Sequence, residues 1–310
     1  GSVHDGSFGN AINLIKEVKR AGATSVKFQM HIAEFETLKD APNPSYFKGE
    51  KRFDYFQRTS FTFNEWKRIK AECKKYKVKF ICSPFSIEAV DVLEKIGVDA
   101  YKIPSGELTN TAYLEKIKKT KKICFISSGM SNYREINRAL KILNSKKNTL
   151  MQCSSIYPCP PELVGLNVFE EFKKKYNCRI GFSDHTNSIS AAIAAITKGA
   201  TSIEKHVTFS RKMYGSDASN AMELDKFKIF CDEIKFLEKM MNNKVNKNNL
   251  SRYNKMRKIF MKSIVAKNNL EKDTVIQLKD LSFKKPGDGI LSDNYKKLIG
   301  KKLKRNIPKN

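Results

Sequence analysis

Histidine, tryptophan and acidic residues are scarce in this chain of 310 residues. It has four histidines and one tryptophan, and 32 Asp and Glu residues stand against 59 Lys and Arg residues, for a formal net charge of +27. No hydrophobic run approaches the length of a membrane span, and no signal peptide is visible. The sequence therefore predicts a cytoplasmic protein with no membrane partner.

The CxxC pairs that are typical of zinc and redox sites are absent. The seven cysteines are odd in number, and most fall inside predicted strands and helices. We interpret them as reduced core residues, because disulfides are rare in cytosolic proteins.

The excess of positive charge does not by itself indicate a nucleic-acid-binding protein. The lysines are spread along the whole chain rather than gathered in a basic stripe with interleaved aromatic residues, and no nucleic-acid-binding motif is present. The sequence therefore predicts no nucleic-acid partner. A general positive field would still attract anionic substrates such as phosphates.

Strand-like and helix-like patterns alternate through the first part of the chain. The seven predicted strands are 25–29, 78–83, 100–105, 123–127, 150–154, 179–182 and 202–203. The eight predicted helices are 10–20, 62–76, 86–97, 111–119, 133–144, 168–176, 189–200 and 224–241. This alternation favours a (β/α)8 TIM barrel, with a doubly wound open sheet as the alternative. Since the chain opens on a turn, we expect the first barrel strand to be missing from it.

The remaining segments predict the domain organisation. The connection 30–60 is rich in Pro, Asp and Lys, and a connection this long is usually a lid or a binding loop. Residues 242–259 are polar and lysine-rich, which is typical of a linker. Residues 260–310 contain short strand-like runs between turns. We therefore predict a barrel domain over 1–241, a linker over 242–259 and a small β-rich domain over 260–310.

Two polar triplets, Ser183-Asp184-His185 and Glu204-Lys205-His206, follow neighbouring predicted strands. Because the carboxyl ends of parallel strands meet at one face of a barrel, both histidines are expected there, beside carboxylates. That arrangement suits a divalent metal with positions left open for substrate. The alternative is a pair of hydrogen-bonded core histidines.

Polar residues follow every predicted strand. They are Lys27, Gln29, Ser83, Lys102, Ser105, Glu107, Ser127, Ser128, Ser155, Tyr157 and the two triplets. Hydroxyl and backbone N–H donors suit a phosphate or a carboxylate, and the two lysines would need an anionic partner if they were buried. Together with a metal, they indicate an enzyme that makes or breaks a carbon–carbon bond at an aldehyde.

The order and spacing of these motifs resemble the sialic acid synthase family, whose members condense phosphoenolpyruvate with an N-acetylated sugar aldehyde. The matching stretches are 21–23, 26–29, 83–85, 101–103, 105–107, 128–130, 156–158, 183–186 and 204–206. The C-terminal region resembles the antifreeze-like (SAF) domain of the family through Lys285-Pro286-Gly287 and Gly289-Ile290. The resemblance covers nearly the whole chain and implies a transferase that makes a sialic, legionaminic or pseudaminic acid.

The resemblance also implies a role for individual residues. His185 and His206 would bind Mn²⁺, with Mg²⁺ or Co²⁺ as alternatives, and the metal would polarise the sugar aldehyde. Glu107, Glu204 and Tyr157 would take part in catalysis. Phosphoenolpyruvate would be held by Lys27, Ser83, Lys102, Ser105, Ser127, Ser155 and Ser183, and the sugar would be contacted by Gln29, Glu107, Tyr157 and Asp217. Family members are homodimers in which the SAF domain of one chain covers the barrel mouth of its partner.

Three positions depart from the family pattern. A glutamate that the family carries just before the position of Gly1 is absent, and some members have Asn at the position of Ser155. Lys285 stands where well-known members have an arginine that reaches the sugar from the partner, and lysine lacks the planar fork of arginine. The sugar therefore stays open. A different metal-dependent barrel aldolase and a non-catalytic sugar-phosphate-binding homologue are the alternative functions.

Overall fold

The computed structural model describes residues 2–44, 47, 49–144 and 146–310, so part of the connection predicted over 30–60 lies outside the described residues. The chain forms two compact units, Gly1–Met241 and Asn242–Asn310. None of the helices in the described ranges is long and apolar enough to cross a membrane.

The first unit is built on a curled parallel sheet of seven strands. The strands are β1 (Ser25–Met30), β2 (Lys79–Pro84), β3 (Ala100–Ile103), β4 (Cys124–Ser127), β5 (Thr149–Cys153), β6 (Arg179–Asp184) and β7 (Ile203–Lys205). Each strand pairs with the next along the chain, in the order β1 to β7. The predicted barrel-type fold is confirmed. The doubly wound alternative is wrong, because it requires a point at which the strand order reverses.

Helices alternate with these strands and cover one face of the sheet. In the first unit they are α1 (Phe8–Ala21), α2 (Ala33–Glu36), α3 (Arg52–Thr59), α4 (Phe63–Lys75), α5 (Ile87–Ile96), α6 (Thr111–Lys119), α7 (Tyr133–Leu143), α8 (Val168–Lys175), α9 (Ser190–Thr197) and α10 (Leu224–Asn242). Local signals fix several ends: Thr62 and Glu65 form a capping box at the start of α4, and Gly97 ends α5 in the left-handed conformation. Asn132 caps helix α7 and forms a second capping box with Glu135.

The connection predicted as a long loop is partly helical, which corrects the sequence-based interpretation. It contains α2 and α3, and its apolar residues form a small cluster separate from the main core. The cluster consists of Ala33, Phe47, Phe53, Tyr55 and Phe56. Helices this short are unstable in isolation. Burial of their aromatic side chains against one another stabilises them here.

Two short strands, β8 (Val207–Thr208) and β9 (Met222–Glu223), follow the sheet and pair with each other. They bracket the loop that contains Asp217. Because β8 begins immediately after His206, this pairing fixes the backbone on the far side of the second triplet.

The second unit contains an antiparallel pair, β10 (Ser263–Ala266) and β11 (Leu281–Lys284). Isolated bridges tie Leu270 to Ile307 and Val275 to Lys302. Helix α11 (Asn254–Phe260) lies within the segment predicted as a linker, so that segment is not structureless. Lys255 and Lys258 are exposed and Arg257 is half-buried, which explains why its composition is typical of a linker.

Candidate active site

The carboxylate of Glu204 is the hub of the polar side chains at the carboxyl ends of the strands. The Nζ atom of Lys102 lies 2.8 Å from its Oε2 atom, and the Nζ atom of Lys27 lies 3.1 Å from its Oε1 atom. The hydroxyl of Ser183 donates to Oε1 over 3.1 Å. Strands β1, β3, β6 and β7 therefore bring two cations, one hydroxyl and one anion to a single point.

Burial and charge act against each other at this hub. Burial alone would raise the pKa of the Glu204 carboxyl, but Lys102 and Lys27 outweigh it and hold that pKa well below its usual range. Burial lowers the pKa of Lys102, and Glu204 opposes that shift. The carboxylate is thus the ionised partner of two lysines, and Lys102, 3% exposed, is the more deeply buried of the two.

The rings of His185 and His206 are neighbours at the carboxyl ends of β6 and β7, tilted relative to each other, with their centroids 5.5 Å apart. The Nδ1–H of His185 donates to the carbonyl oxygen of Ser154 over 2.7 Å, which leaves Nε2 as the unprotonated nitrogen of the neutral ring. Nδ1 of His206 lies 3.6 Å from Oδ2 of Asp217. The ring of Tyr157 packs on His185, with centroids 4.2 Å apart.

These residues fit a divalent metal. An imidazole radius of about 1 Å and a metal–nitrogen bond of about 2 Å allow two rings at this separation to share one ion. Burial lowers the pKa of His206 to about 3, so its imidazole is neutral at physiological pH, as a ligand must be. A cluster of three or more metal-binding side chains is not found among the described residues. A metal here would have two protein ligands, with the other positions open to water or substrate.

Asp217 carries a buried oxygen without a partner. Its Oδ2 atom accepts no hydrogen bond within the described part of the chain, although it is shielded from solvent. A buried acceptor of this kind is costly unless a ligand or water satisfies it. The position of this oxygen beside His206 suits contact with a substrate hydroxyl.

Two of the predicted serines, Ser105 and Ser155, lie beside Gly129. A Cβ atom at Gly129 would lie 2.4 Å from Oγ of Ser155, 2.7 Å from Oγ of Ser105 and 3.1 Å from Sγ of Cys153. The absence of a side chain at Gly129 therefore lets these two hydroxyls and the thiol approach its backbone closely. Cys153 was interpreted from sequence only as a core residue; it is buried and free, but its Sγ atom also lies 3.9 Å from Nδ1 of His185.

The other predicted serines and Glu107 lie at the ends of their strands. Ser83 and Ser127 are buried in β2 and β4. Glu107 lies in the turn after β3 and accepts a hydrogen bond from Asn110. Burial raises the pKa of its carboxyl, which makes Glu107 better suited to proton transfer near neutral pH than an ordinary glutamate.

Sequence reasoning missed two histidines beside Gln29. Gln29, His4 and His31 line a small cavity of about 10 Å³, close to the space that one water molecule needs. His31 is stacked between Phe56 and Phe85, and its Nδ1 atom bonds to Glu36. The position of His31 directly after a strand-like run was a usable signal, but His4 follows no such run and neither histidine lies in a polar triplet.

One predicted site residue belongs to the second unit. Lys285 lies there with its ammonium 5.1 Å from the ring centroid of Phe260. Its expected contact with a partner's sugar site stays a prediction.

Comparison with known proteins relates this geometry to enzymes. The chain is 33% identical to N,N'-diacetyllegionaminic acid synthase of Campylobacter jejuni, over 98% of this chain and 93% of the relative. It is 26% identical to pseudaminic acid synthase of the same species, over 98% and 90%. Its fold matches the crystal structure of N-acetylneuraminic acid synthetase from Leptospira borgpetersenii with a TM-score of 0.71 and 27% identity, over 83% of this chain and 87% of that one.

Family models cover both units. The model of the NeuB family matches residues 14–246, and that of the SAF domain matches residues 262–310. The chain therefore belongs to the NeuB family of enzymes, with a barrel-type catalytic unit followed by a SAF domain.

Proposed function

We propose that this protein is a nonulosonic acid synthase that condenses phosphoenolpyruvate with the aldehyde of an N-acetylated amino sugar. The sugar is N-acetylmannosamine or a bacillosamine-derived analogue, and phosphate is released by C–O cleavage. The relatives named as legionaminic and pseudaminic acid synthases support this class of product.

The proposal depends on one observation: the paired histidines and the two lysines all lie at the carboxyl ends of the strands. The ring centroids of His185 and His206 lie 5.5 Å apart. Lys27 on β1 and Lys102 on β3 both contact the carboxylate of Glu204 on β7. Glu204 and Ser183 are paired residues of adjacent strands and link the two groups. A site with adjacent cationic and metal-binding halves suits a reaction between an anion and an aldehyde.

Each half has its own ligand. The ammonium groups of Lys27 and Lys102 and the hydroxyls around Gly129 bind the carboxylate and phosphate of phosphoenolpyruvate. His185 and His206 would hold a divalent metal, Mn²⁺ first among the candidates, and such an ion would polarise the sugar aldehyde. Gln29, Tyr157 and the unpaired oxygen of Asp217 contact the hydroxyls of the sugar.

The bond changes balance without a further reactant except water. Carbon 3 of phosphoenolpyruvate bonds to the aldehyde carbon, and the aldehyde oxygen takes a proton to become a hydroxyl. Water then adds at carbon 2 with loss of one proton. The bond from carbon 2 to the phosphate oxygen breaks and inorganic phosphate leaves, while the new hydroxyl loses its proton and becomes the ketone oxygen. Glu107, with its raised pKa, is suited to carry a proton between these positions, and ionised Glu204 keeps the lysines charged and oriented.

We further propose a homodimer in which Lys285 of one chain reaches the sugar site of the other. The resemblance to dimeric synthases is the support for it. A lysine at this position gives a single point charge rather than a bidentate contact, which favours looser recognition of the N-acyl group.

The experiment is phosphate release from phosphoenolpyruvate, measured with N-acetylmannosamine and with 2,4-diacetamido sugars, with and without Mn²⁺. We expect turnover of at least one sugar, and loss of both turnover and Mn²⁺ binding in His206→Ala. An exposed control, Glu170→Gln, should behave as wild type. Turnover that survives in the metal-free His206→Ala variant would contradict the metal role, and no turnover of any sugar would favour a non-catalytic sugar-phosphate-binding protein.

A further inference from the structure

A buried ion pair lies on the opposite face of the sheet from the two histidines. Nζ of Lys205 is 2.7 Å from Oδ2 of Asp184, and the two side chains are 4% and 0% exposed. The hydroxyl of Ser183 reaches Glu204 on the face of the candidate site. Since side chains alternate along a strand, the residues that follow them, Asp184 and Lys205, point away from that site.

The pair joins the two strands that end in the histidines. Asp184 and Lys205 are directly paired in the register of β6 and β7, and each is followed at once by one of the two histidines. Lys205 also donates to the carbonyl oxygen of Thr186, whose N–H donates to Oδ1 of Asp184 over 2.8 Å. Lys205, which precedes His206, is therefore bonded to the residues on both sides of His185: to the side chain of Asp184 and to the backbone carbonyl of Thr186.

Strand β7 needs such a connection. It has three residues and stands at the end of the strand order, paired with β6 alone within the part of the chain that the structure describes. The pairing of β8 with β9 holds the backbone after His206, but before His206 only the few backbone hydrogen bonds between β6 and β7 set the direction of the chain. Directional bonds from a charged side chain to a carboxylate and a carbonyl restrict it further.

A purely stabilising role explains the pair poorly. Buried ion pairs rarely add stability beyond that of an apolar pair of similar size, because both charges lose their hydration. An apolar pair would fill the same space between sheet and helices but would set no angle between the strand ends. The charged pair differs from it in geometry rather than in packing.

We propose that Asp184 and Lys205 are positioning residues that set the separation and orientation of His185 and His206, and thereby the affinity for the divalent metal. This inference rests on the proposed function. It assigns the pair no contact with metal or substrate.

The test compares Mn²⁺ binding by the full-length chain with that of a double variant, Asp184→Asn with Lys205→Met. The double variant removes both charges at similar volume, so that neither charge is left buried alone. Free Mn²⁺ is titrated by its electron paramagnetic resonance signal after removal of bound metal with a chelator. We expect a Kd raised about tenfold, as for other groups that orient metal ligands, with Tm of the metal-free protein kept near wild type.

The matched control is Asp99→Asn with Lys70→Met. That pair has the same 2.7 Å separation but lies outside the two polar triplets, and it should leave Mn²⁺ affinity unchanged. Unchanged affinity in the Asp184–Lys205 double variant, while wild type binds Mn²⁺, overturns this inference alone. A wild-type chain that binds no Mn²⁺ overturns the proposed function.

If the double variant does not fold, hydrogen exchange of the natural chain decides. Because coupling between two sites is reciprocal, Mn²⁺ should slow exchange of the Thr186 amide, which bonds to Asp184. The Phe80 amide, which bonds to Asp99, should not change. A Thr186 rate unaffected by Mn²⁺ overturns the inference.

Discussion

Replacement of Glu204 by Gln separates the two effects of its carboxylate, stabilisation of the fold and competition with an anionic substrate. Glu204 accepts from Lys27, Lys102 and Ser183, and its side chain is 18% exposed. Glutamine has nearly the same shape but no charge. It therefore leaves two ammonium groups facing each other in a mostly buried site.

Removal of one partner from a buried ion pair costs about 3–5 kcal/mol. Glutamine keeps one acceptor oxygen, and Lys27 has 17% of its side chain exposed, so we expect the lower end, about 3 kcal/mol. For a protein of this size, that corresponds to a fall in Tm of about 6 °C or more. Inorganic phosphate or phosphoenolpyruvate should restore part of the loss, because either anion supplies the missing charge.

The assay is thermal unfolding of metal-free protein, with and without phosphate, for wild type, Glu204→Gln and the control Glu170→Gln. Glu170 bonds to Lys198 over 2.7 Å at the surface, so its loss should change stability little. The reasoning predicts a larger phosphate-induced rise in Tm for Glu204→Gln than for wild type. Equal rises in the two proteins, or no drop in Tm without phosphate, would refute it.

Three further outcomes follow from named contacts. Gly129→Ala should keep the fold but raise the KM for phosphoenolpyruvate at least tenfold, because its methyl group would displace the hydroxyls of Ser155 and Ser105; an unchanged KM would count against these hydroxyls as anion ligands. Burial lowers the pKa of His4 from 6.5 to about 3, so the unfolded chain binds the extra proton and stability falls as pH drops through that window, by at most about 1.4 kcal/mol per pH unit. His4→Asn keeps an acceptor for the Gly6 N–H and should flatten this slope in urea unfolding at pH 7 and 5; an identical slope would exclude His4 as its source. Lys285→Ala should raise the KM for the sugar but not for phosphoenolpyruvate, in a protein with the solution mass of a dimer, and a monomer mass would contradict the shared site.

The sequence was sufficient to predict the sheet and the approximate strand ends, although β6 and β7 extend into the two polar triplets that were predicted to follow them. Apolar runs bounded by Gly, Ser and capping residues fixed the strands, and helical crossovers imply that their carboxyl ends lie on one side. That rule alone places Lys27, Lys102 and Glu204 near one another. It does not say that Glu204 pairs with both lysines, because the pairing depends on strand curvature and on which side chains point inward.

The helices in the connection after β1 could not be predicted by the same means. Helix α3 is eight residues long, too short for a clear period, and charged residues interrupt its apolar ones. It is stable because Phe53, Tyr55 and Phe56 pack with residues that lie earlier in the connection. A contact between two parts of one connection cannot be predicted from the hydrophobic pattern of either part alone.

The local sequence pattern also could not predict how the two histidines are oriented. Adjacent triplets predict that His185 and His206 lie on neighbouring strands, but a shift of one residue in register would turn one of them away. The observed register pairs Asp184 with Lys205 on the opposite face. A shift of one residue would separate the two and leave each charge buried without its partner, so the pairing excludes that shift. The residues between the catalytic positions therefore specify the register on which the site depends, and their role becomes apparent only when both strands are considered together.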